Sequence, residues 1–236
     1  MVPAWNEADV IDGVLAELLD TAPESSVLVV DDGSSDGTAA RAQAAGLEVV
    51  RLPFRIGVGG AMRAGFLHAV RSGYDGVVQF DADGQHDPRC IGRLVEALAG
   101  ADVVVGSRFA GDGDYRVRGP RRWAMRILAS ALSRLCRTRL TDVTSGFRAA
   151  GPRAVLTFAR HYPPEYLGDT VESLVVARRA GLVVREIPVS IRPRAGGCPS
   201  QSVVRATGYL LRAMLVLLLA MIRSHPDVEA VPGGGA

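Results

Sequence analysis

Short apolar runs rich in β-branched residues alternate along the chain with longer segments whose apolar positions recur at helical spacing. The runs that fit strands buried on both faces are 27–30, 47–52, 77–80 and 102–105. The segments that fit helices are 10–19, 38–45, 60–72 and 91–98. Strands that alternate with helices form βαβ units, so the pattern predicts an α/β fold with a mainly parallel sheet and right-handed crossovers.

The pattern changes in the second half of the chain. Helical spacing predicts an amphipathic helix over 121–137 and another helix over 171–180, and the run 182–191 predicts a strand pair or one bent strand. The apolar face of the first helix would contain Trp123, Ile127, Leu128, Leu132 and Leu135. A mostly apolar helix is expected over 201–224, followed by a Pro- and Gly-rich tail over 225–236 that we expect to be disordered.

Composition narrows the class of protein. Hydrophobic residues make up 48% of the chain and charged residues 22%, as in a globular core, and a net charge of +2 gives no reason to expect nucleic-acid binding. The three cysteines lack metal-binding or redox spacing, so we expect reduced thiols and a cytoplasmic location. We expect no signal peptide, and the longest apolar stretch, 213–222, is about half of the ~20 residues that a membrane-spanning helix needs.

Acidic residues directly follow the apolar run 77–80. Asp81 and Asp83 are two positions apart, so on an extended strand both carboxylates would point to one place beyond its end. Open α/β sheets bind ligands at the carboxyl ends of their strands, and a divalent cation such as Mg²⁺ or Mn²⁺ would relieve the repulsion between the carboxylates. The alternative is an ordinary solvated Asp–Gly turn. Asp87, which precedes Pro88, is expected only to begin the next helix.

A second acidic turn follows the run 27–30. It contains Asp31, Asp32 and Asp36. One of these acids is expected to cap the following helix, but capping needs only one. A carboxylate at this strand end can accept the imide N–H of a uracil, or the N1–H and amino group of a guanine. The turn is therefore a candidate nucleobase site.

Two other classes of protein fit less well. Phosphatases of the haloacid-dehalogenase type also place DxDG after a buried strand, but their pattern continues with Thr or Val where this chain has Gln85. They also need a downstream lysine, and the chain contains no lysine. A dinucleotide-binding fingerprint is incomplete, because Gly57, Gly59 and Met62 do not complete GxGxxG.

Further motifs lie in a fixed order along nearly the whole chain. They are VPAWNE (2–7), VDDGSSDGT (30–38), GVGGA (57–61), DADGQH (81–86), GSRF (106–109), DVTSGFR (142–148) and RAGG (194–197). Together they resemble glycosyltransferase family 2, and within it the branch of polyprenyl- and dolichyl-phosphate sugar synthases. The resemblance implies a GT-A fold, in which a Rossmann-like, mainly parallel sheet is flanked by helices. It implies a catalytic domain over 1–200, with a nucleotide-binding half over about 1–110 and an acceptor half over about 111–200.

The resemblance also implies roles for residues at matching positions. The nucleotide would be bound by Pro3, Ala4, Glu7, Asp32 and Asp81. Mg²⁺ or Mn²⁺ would be held by Asp81, Asp83 and Gln85. The acceptor, its phosphate or the closing loop would involve Arg108, Ser145, Arg148, Arg194 and Ser200. The residues expected to act in catalysis are Asp83, Arg108, Arg148, Asp169 and Glu172.

Some of these positions have ordinary alternatives. Arg108 could form a surface salt bridge, and Glu172 could lie on a solvated helix face. Two departures from the family pattern are Val58, where many members carry lysine, and Pro199, where relatives often have a serine before the equivalent of Ser200.

The expected reaction is inverting transfer of a sugar from a UDP- or GDP-sugar to an acceptor. A polyprenyl phosphate is expected, because the stretch 116–139 contains eight arginines and no acid, which suits peripheral contact with the inner face of an anionic membrane. The helix over 201–224 could lie in the membrane interface or form a homodimer contact. The alternatives are a soluble hydroxyl acceptor, or a catalytically idle nucleotide-binding subunit whose first strand, at Val2, is too short.

Overall fold

The alternation of strands and helices expected from the sequence is present in the computed structural model, which describes residues 1–109, 120–163 and 168–192. The strands are Val2–Ala4 (β1), Leu28–Asp31 (β2), Glu48–Arg51 (β3), Val77–Gln79 (β4), Val103–Ser107 (β5), Arg148–Ala150 (β6) and Val184–Pro188 (β7). The helices are Ile11–Thr21 (α1), Thr38–Ala44 (α2), Val58–Arg71 (α3), Ile91–Ala97 (α4), Pro120–Cys136 (α5), Pro152–His161 (α6) and Gly168–Arg179 (α7).

The strands form a three-stranded sheet of order β1–β2–β3 and a four-stranded sheet of order β4–β6–β5–β7. Met1 joins the two sheets, because its amino group donates to the carbonyl oxygen of Val78 at 2.9 Å and its own carbonyl accepts from the N–H of Phe80 at 3.0 Å. This is the hydrogen-bond pattern of a parallel ladder. The carboxyl ends of β1, β2 and β4 therefore meet at one edge.

The prediction of a mainly parallel sheet needs correction at β6. β1, β2 and β3 pair in parallel, as do β5 and β7, but β6 runs antiparallel to both of its neighbours. The sequence did not predict β6, since Arg148–Ala150 contains no β-branched residue, and the helix α6 was also missed. β3 was expected to be buried on both faces, but it lies at the edge of its sheet, where Glu48 and Arg51 are exposed.

Two hydrophobic cores lie on opposite faces of the sheets. One core contains side chains of α3, α5, α6 and α7, including Phe66, Leu132, Phe158 and Leu174. The other packs α1 and α4 against the sheets, and Phe147 is fully buried there. Each large side chain that is removed from water in this way contributes about 1.5–3 kcal/mol. The layers fix the positions of the strand ends that carry the acidic turns.

The buried face of α5 is narrower than the apolar face predicted from the sequence. Leu128 and Leu132 are buried as expected. Trp123 and Ile127 were expected on the same face, but they are 67% and 54% exposed. Both lie on the outer side of the helix together with Arg126. This prediction was wrong because an apolar stripe wider than the core contact leaves some of its members in solvent.

Several predicted segments lie outside the described residues, among them the helix over 201–224 and the tail over 225–236. Within the described ranges, the helices are all too short or too polar to cross a bilayer. Cys90 and Cys136 are buried free thiols, and burial raises the pKa of Cys136 to about 11.

Candidate active site

The two acidic turns follow β2 and β4, at the edge where the parallel strands end. The turn after β2 is joined to the end of β1, because the N–H of Asp32 donates to the carbonyl oxygen of Ala4 at 2.9 Å. Pro3 and Ala4, which were expected at the nucleoside, therefore lie beside Asp32. Ligands bind at this edge in open α/β sheets.

Asp32 binds the loop that precedes α3. Its two carboxylate oxygens accept the main-chain N–H groups of Ile56 at 2.7 Å and Gly57 at 2.8 Å. Gly33 allows this close approach, since a Cβ at that position would lie 2.7 Å from the main-chain carbon of Phe54, and its φ of +69° also favours glycine. The structure thus gives Asp32 a clear role in shaping the site. Its expected contact with a nucleobase stays a prediction.

Asp31 is a candidate that the sequence interpretation did not select. Its side chain is completely buried at the end of β2, and its Oδ2 accepts the N–H of Ser34 at 3.3 Å. Its Oδ1 has no hydrogen-bond partner among the described residues. A buried carboxylate oxygen without a partner is costly. The sequence signal was the pair of adjacent acids, which could not show which of them the protein would leave unsatisfied.

The loop between β1 and α1 is fastened to the turn after β2. The N–H of Asn6 donates to the Oγ of Ser34, and the N–H of Glu7 donates to the Oγ1 of Thr38. One of the three acids was expected to cap α2, but the N-cap is Gly37, which provides no side-chain cap. Asp36 instead accepts from the N–H of Ala8 and from the N–H of Thr38, the first residue of α2. Glu7 therefore lies beside the turn.

Trp5 and Arg55 close the outer side of this region. The guanidinium carbon of Arg55 lies 3.5 Å from the centroid of the Trp5 ring. Such a cation–π contact contributes about 0.5–1 kcal/mol at an exposed site. The contact joins the loop after β1 to the loop held by Asp32.

The turn after β4 carries Asp81 and Asp83. β4 ends at Gln79, so strand alternation does not place these carboxylates, and that step of the prediction was wrong. Asp81 nevertheless lies close to the His86 ring, with its Oδ2 3.6 Å from the Nε2. Burial lowers the pKa of that imidazole, and the charges of Asp81 and Asp83 oppose this shift. Asp81 accepts from Gln79 at 3.2 Å, and the Oδ1 of Asp83 accepts from the N–H of Gln85 at 3.0 Å.

Gly146 explains how the Asp81 carboxylate is accommodated. A Cβ at this position would lie 2.8 Å from the Oδ2 of Asp81 and 2.9 Å from the Nε2 of Gln79. A larger residue would therefore displace the carboxylate. The segment around Gly146, which precedes β6, therefore lies directly against the Asp81 side chain in the turn after β4.

His86 positions Asp81 through a ring nitrogen. Its Nδ1 accepts the N–H of Asp81 at 3.0 Å, so that ring nitrogen carries no proton. The ring stacks on Phe147 with centroids 4.5 Å apart and an interplanar angle of 11°. Burial lowers the pKa of His86, which keeps the imidazole neutral.

The residues at this turn fit a divalent cation that is only partly held by protein. In the described part of the chain, three or more His, Cys, Asp or Glu side chains do not gather into a metal-binding group. A pair of carboxylates still suits Mg²⁺ or Mn²⁺, because such ions commonly keep waters and share the phosphate oxygens of a substrate. Asp81, Asp83 and Gln85 lie on one turn and meet this requirement.

Arg108 lies just after β5 and pairs with a buried acid. Its Nε and Nη2 donate to the two carboxylate oxygens of Asp142 at 2.6 and 2.8 Å, and Asp142 is fully buried. Glu186 accepts from the N–H groups of Thr141 and Asp142 and fixes that segment. The salt bridge given as the alternative for Arg108 is therefore present, but its partner is buried and not on the surface. The expected contact of Arg108 with the acceptor stays a prediction.

Arg148 lies in the interior. Its guanidinium donates to the carbonyl oxygens of Ser145, Thr170 and Val143 and to the Oγ of Ser173, over 2.7–2.9 Å. Burial lowers its pKa, and the residue is 7% exposed. This geometry makes Arg148 a support for the main chain around the site. Its expected contact with the acceptor stays a prediction.

The remaining candidates fall into three groups. Asp169 and Glu172 lie three residues apart on α7, and Asp169 is 4% exposed and close enough to Arg148 to affect the pKa of its guanidinium. Ser145 is buried, and its Oγ accepts the N–H of Phe147. Arg194 and Ser200 lie outside the described residues.

Comparison with known proteins identifies the family. The model of glycosyl transferase family 2 matches residues 1–158. The chain belongs to glycosyl transferase family 2. The match covers both acidic turns, Arg108 and the segment around Gly146. The GT-A-like α/β fold of the family agrees with the architecture described above.

Two relatives and one solved structure place the chain more closely within family 2. An undecaprenyl-phosphate mannosyltransferase of Micrococcus luteus is 34% identical over 229 residues, which cover 90% of this chain and 93% of that protein. A polyprenol monophosphomannose synthase of Mycolicibacterium smegmatis is 36% identical over 63% of this chain and 59% of that protein. Glucosyl-3-phosphoglycerate synthase of Mycobacterium tuberculosis, in complex with Mn²⁺, UDP-glucose and phosphoglyceric acid, is 25% identical, with a TM-score of 0.67 and coverage of 96% of this chain and 79% of that chain.

Proposed function

We propose that this family 2 enzyme transfers a sugar from a nucleoside-diphosphate sugar to a polyprenyl phosphate, with inversion at the anomeric carbon. The observation that carries the proposal is the pair Asp81 and Asp83 on the turn after β4, at the edge of the sheet where ligands bind. The relatives from Micrococcus luteus and Mycolicibacterium smegmatis support the acceptor, since their names specify polyprenyl phosphate or polyprenol.

The donor nucleoside would lie between the loop after β1 and the turn after β2. Pro3, Ala4 and Glu7 border this region, and Asp32 holds its far wall through the N–H groups of Ile56 and Gly57. We assign recognition of the nucleobase, by acceptance of its N–H, to Asp31 or Asp32. Asp31 is favoured by its unpartnered Oδ1, which a base N–H donor would satisfy after a local adjustment of the turn.

The diphosphate would lie over the turn after β4. Asp81 and Asp83, with Gln85, would hold Mg²⁺ or Mn²⁺, which neutralises the charge that develops on the leaving diphosphate. His86 keeps Asp81 in place through the main-chain N–H of that residue. The solved Mycobacterium tuberculosis structure, which contains Mn²⁺ and UDP-glucose, supports a divalent cation together with a nucleotide-sugar donor.

The acceptor would enter beside Arg108. A phosphate acceptor is already anionic near pH 7, so its attack on the sugar needs orientation and charge compensation more than a general base. Arg108 and Arg194 would supply that compensation, while Arg148 and Ser145 would hold the segment beneath them. A hydroxyl acceptor would instead need a base, for which Asp169 and Glu172 are the candidates.

Peripheral contact with the membrane would bring the lipid acceptor to this site. The outer side of α5 presents Trp123 and Ile127 beside Arg126, and Pro120–Cys136 contains no acidic residue. Apolar and aromatic groups beside arginines suit an anionic bilayer surface, and the cytoplasmic leaflet has this character. The proposed helix over 201–224 would add to this contact or would form a homodimer interface.

The test is a transfer assay with the purified protein, Mn²⁺ and a panel of UDP- and GDP-sugars. Undecaprenyl phosphate in detergent is the acceptor, and undecaprenol, which lacks the phosphate, is the matched control. We expect nucleoside diphosphate release and a labelled lipid only with the phosphate. UDP or GDP binding without transfer to any acceptor would instead identify a catalytically idle nucleotide-binding subunit. Absence of UDP and GDP binding, with or without Mn²⁺, would refute the donor site.

A soluble acceptor is the second candidate, and a specific observation favours it. The solved Mycobacterium tuberculosis structure that contains UDP-glucose also contains phosphoglyceric acid, a soluble phosphate compound with a free hydroxyl. Turnover on phosphoglyceric acid or another soluble acceptor, together with no turnover on undecaprenyl phosphate, would replace the lipid acceptor by this class.

A further inference from the structure

Asp87 is the third acid of the turn after β4, and it does more than begin a helix. Its side chain is 6% exposed and binds two arginines. Arg89 donates to it from the main-chain N–H at 3.1 Å and from the guanidinium at 2.8 Å. The Nη2 of Arg192 donates to its Oδ1 at 3.0 Å.

Arg192 connects Asp87 to two other parts of the molecule. Its Nη1 donates to both oxygens of Glu17 on α1, at 2.6 and 2.9 Å. Its main-chain N–H donates to the carbonyl oxygen of Gln85 at 2.9 Å, and the preceding residue, Ile191, forms an antiparallel bridge with His86. The turn with the proposed metal ligands is thus fastened to α1 and to the segment after β7.

We propose that Arg192 is a positioning residue for metal binding, and that Asp87, Arg192 and Glu17 form a clamp that fixes the turn carrying Asp83 and Gln85. The clamp rests on the proposed function, because it gives those two residues their role as ligands. Gln85 lies two residues before Asp87, and its carbonyl oxygen accepts the main-chain N–H of Arg192. The Asp83 carboxylate is tied in turn to the N–H of Gln85.

The physical argument is preorganisation. Asp81 and Asp83 lie beyond the end of β4, so strand pairing does not hold them, and a turn without other support would be free to move when no cation is bound. A buried charge that is paired and hydrogen-bonded resists such movement, whereas an exposed pair contributes little. The Asp87–Arg192 pair has one partner that is 6% exposed, while the Arg192–Glu17 pair is between 33% and 45% exposed. The first pair should therefore matter more.

Arg89 provides a matched control within the same site. It pairs with the same carboxylate of Asp87, but it is 72% exposed, and its Nε and Nη2 both donate to Asp87. Arg192→Met removes the connection between α1 and the turn. Arg89→Met removes a positive charge from Asp87 and leaves that connection in place.

The experiment measures Mn²⁺ binding to each purified variant from the loss of the free-ion electron paramagnetic resonance signal. For Arg192→Met we expect the Mn²⁺ dissociation constant to rise about tenfold, for Arg192→Lys a smaller rise, and for Arg89→Met a change within about twofold. Glu17→Gln, which retains the buried pair, should raise it by about twofold to threefold. Thermal unfolding is recorded for every variant, so that loss of fold is separated from loss of binding.

Two results would overturn the clamp. One is an unchanged Mn²⁺ dissociation constant in a folded Arg192→Met protein. The other is an equal loss in Arg89→Met, which would mean that Asp87 needs only charge compensation. Failure of the proposed function is distinguishable, because wild-type protein that binds Mn²⁺ but transfers no sugar would refute the function and leave the clamp standing.

Discussion

The acidic turn after β2 and the acidic turn after β4 differ in what their carboxylates bind. After β2, Asp32 and Asp36 each accept two main-chain N–H groups, and they hold three loops together. After β4, the carboxylate of Asp81 accepts from the side chain of Gln79 and lies 3.6 Å from the Nε2 of His86, and the side chain of Asp81 is 35% exposed. The first turn uses its acids to build the shape of the site, and the second leaves an acid partly exposed.

The number of main-chain N–H donors distinguishes the two kinds of acidic strand end. A carboxylate that accepts several main-chain N–H groups has its charge compensated by the protein and contributes to stability. A carboxylate with few such donors is available to a cation. Changes in the two turns should therefore separate stability from chemistry, and the following predictions test that separation in order of expected effect.

The largest effect is expected for Asp83→Asn, which removes a proposed metal ligand. We expect sugar transfer to fall about 10²–10³-fold, because the charge on the leaving diphosphate is no longer balanced. Nucleotide release in the transfer assay measures this loss. Asp12→Asn, which removes an exposed ion pair with Arg41, is the control and should retain activity. Full activity of Asp83→Asn would contradict the metal role.

Asp32→Ala should act mainly on stability. It removes two charge-assisted hydrogen bonds to Ile56 and Gly57, and we expect the free energy of unfolding to fall by about 2–3 kcal/mol. Urea unfolding followed by circular dichroism measures the change. Mn²⁺ binding should stay within about twofold of the wild type, since Asp32 is not one of the proposed ligands. Wild-type stability of this variant would show that the two turns do not differ as described.

Gly146→Ala should perturb Asp81 without altering any carboxylate. The added Cβ would lie 2.8 Å from the Oδ2 of Asp81, so the side chain must move. We expect the Mn²⁺ dissociation constant to rise about tenfold, as for other changes that misplace a ligand. Gly92→Ala is the matched control, because a Cβ there would meet no atom within 4 Å. Equal Mn²⁺ binding by both variants would be evidence against a metal at Asp81.

Much of the fold could be predicted from sequence because local pattern decides it. The β-branched runs that became β2, β4 and β5 are apolar on both faces, and such runs have few other stable placements. β6 could not be predicted, since Arg148–Ala150 carries no strand signal and is held by its neighbours on both sides. The exposure of Trp123 and Ile127 also depended on where α5 meets the core.

The residues of the candidate site also differ in whether the sequence could predict their roles. The spacing of Asp81 and Asp83, and their place after an apolar run, indicated a cation without any structure. The roles of Arg148 and Asp87 could not be separated from those of surface residues by sequence, because both depend on partners far along the chain. Arg148 binds the carbonyl of Thr170, and Asp87 binds Arg192.

The sequence by itself determined the alternation of elements, the family and the acidic strand ends, since each follows from the chemistry of neighbouring residues. Only the tertiary structure decided which carboxylates accept hydrogen bonds from other parts of the protein. Asp32 meets the loop before α3, and Asp87 meets Arg192, only because the sheet and its crossovers bring those distant segments together. A hydrogen bond needs a donor within about 3 Å, and that distance is set by the folded chain.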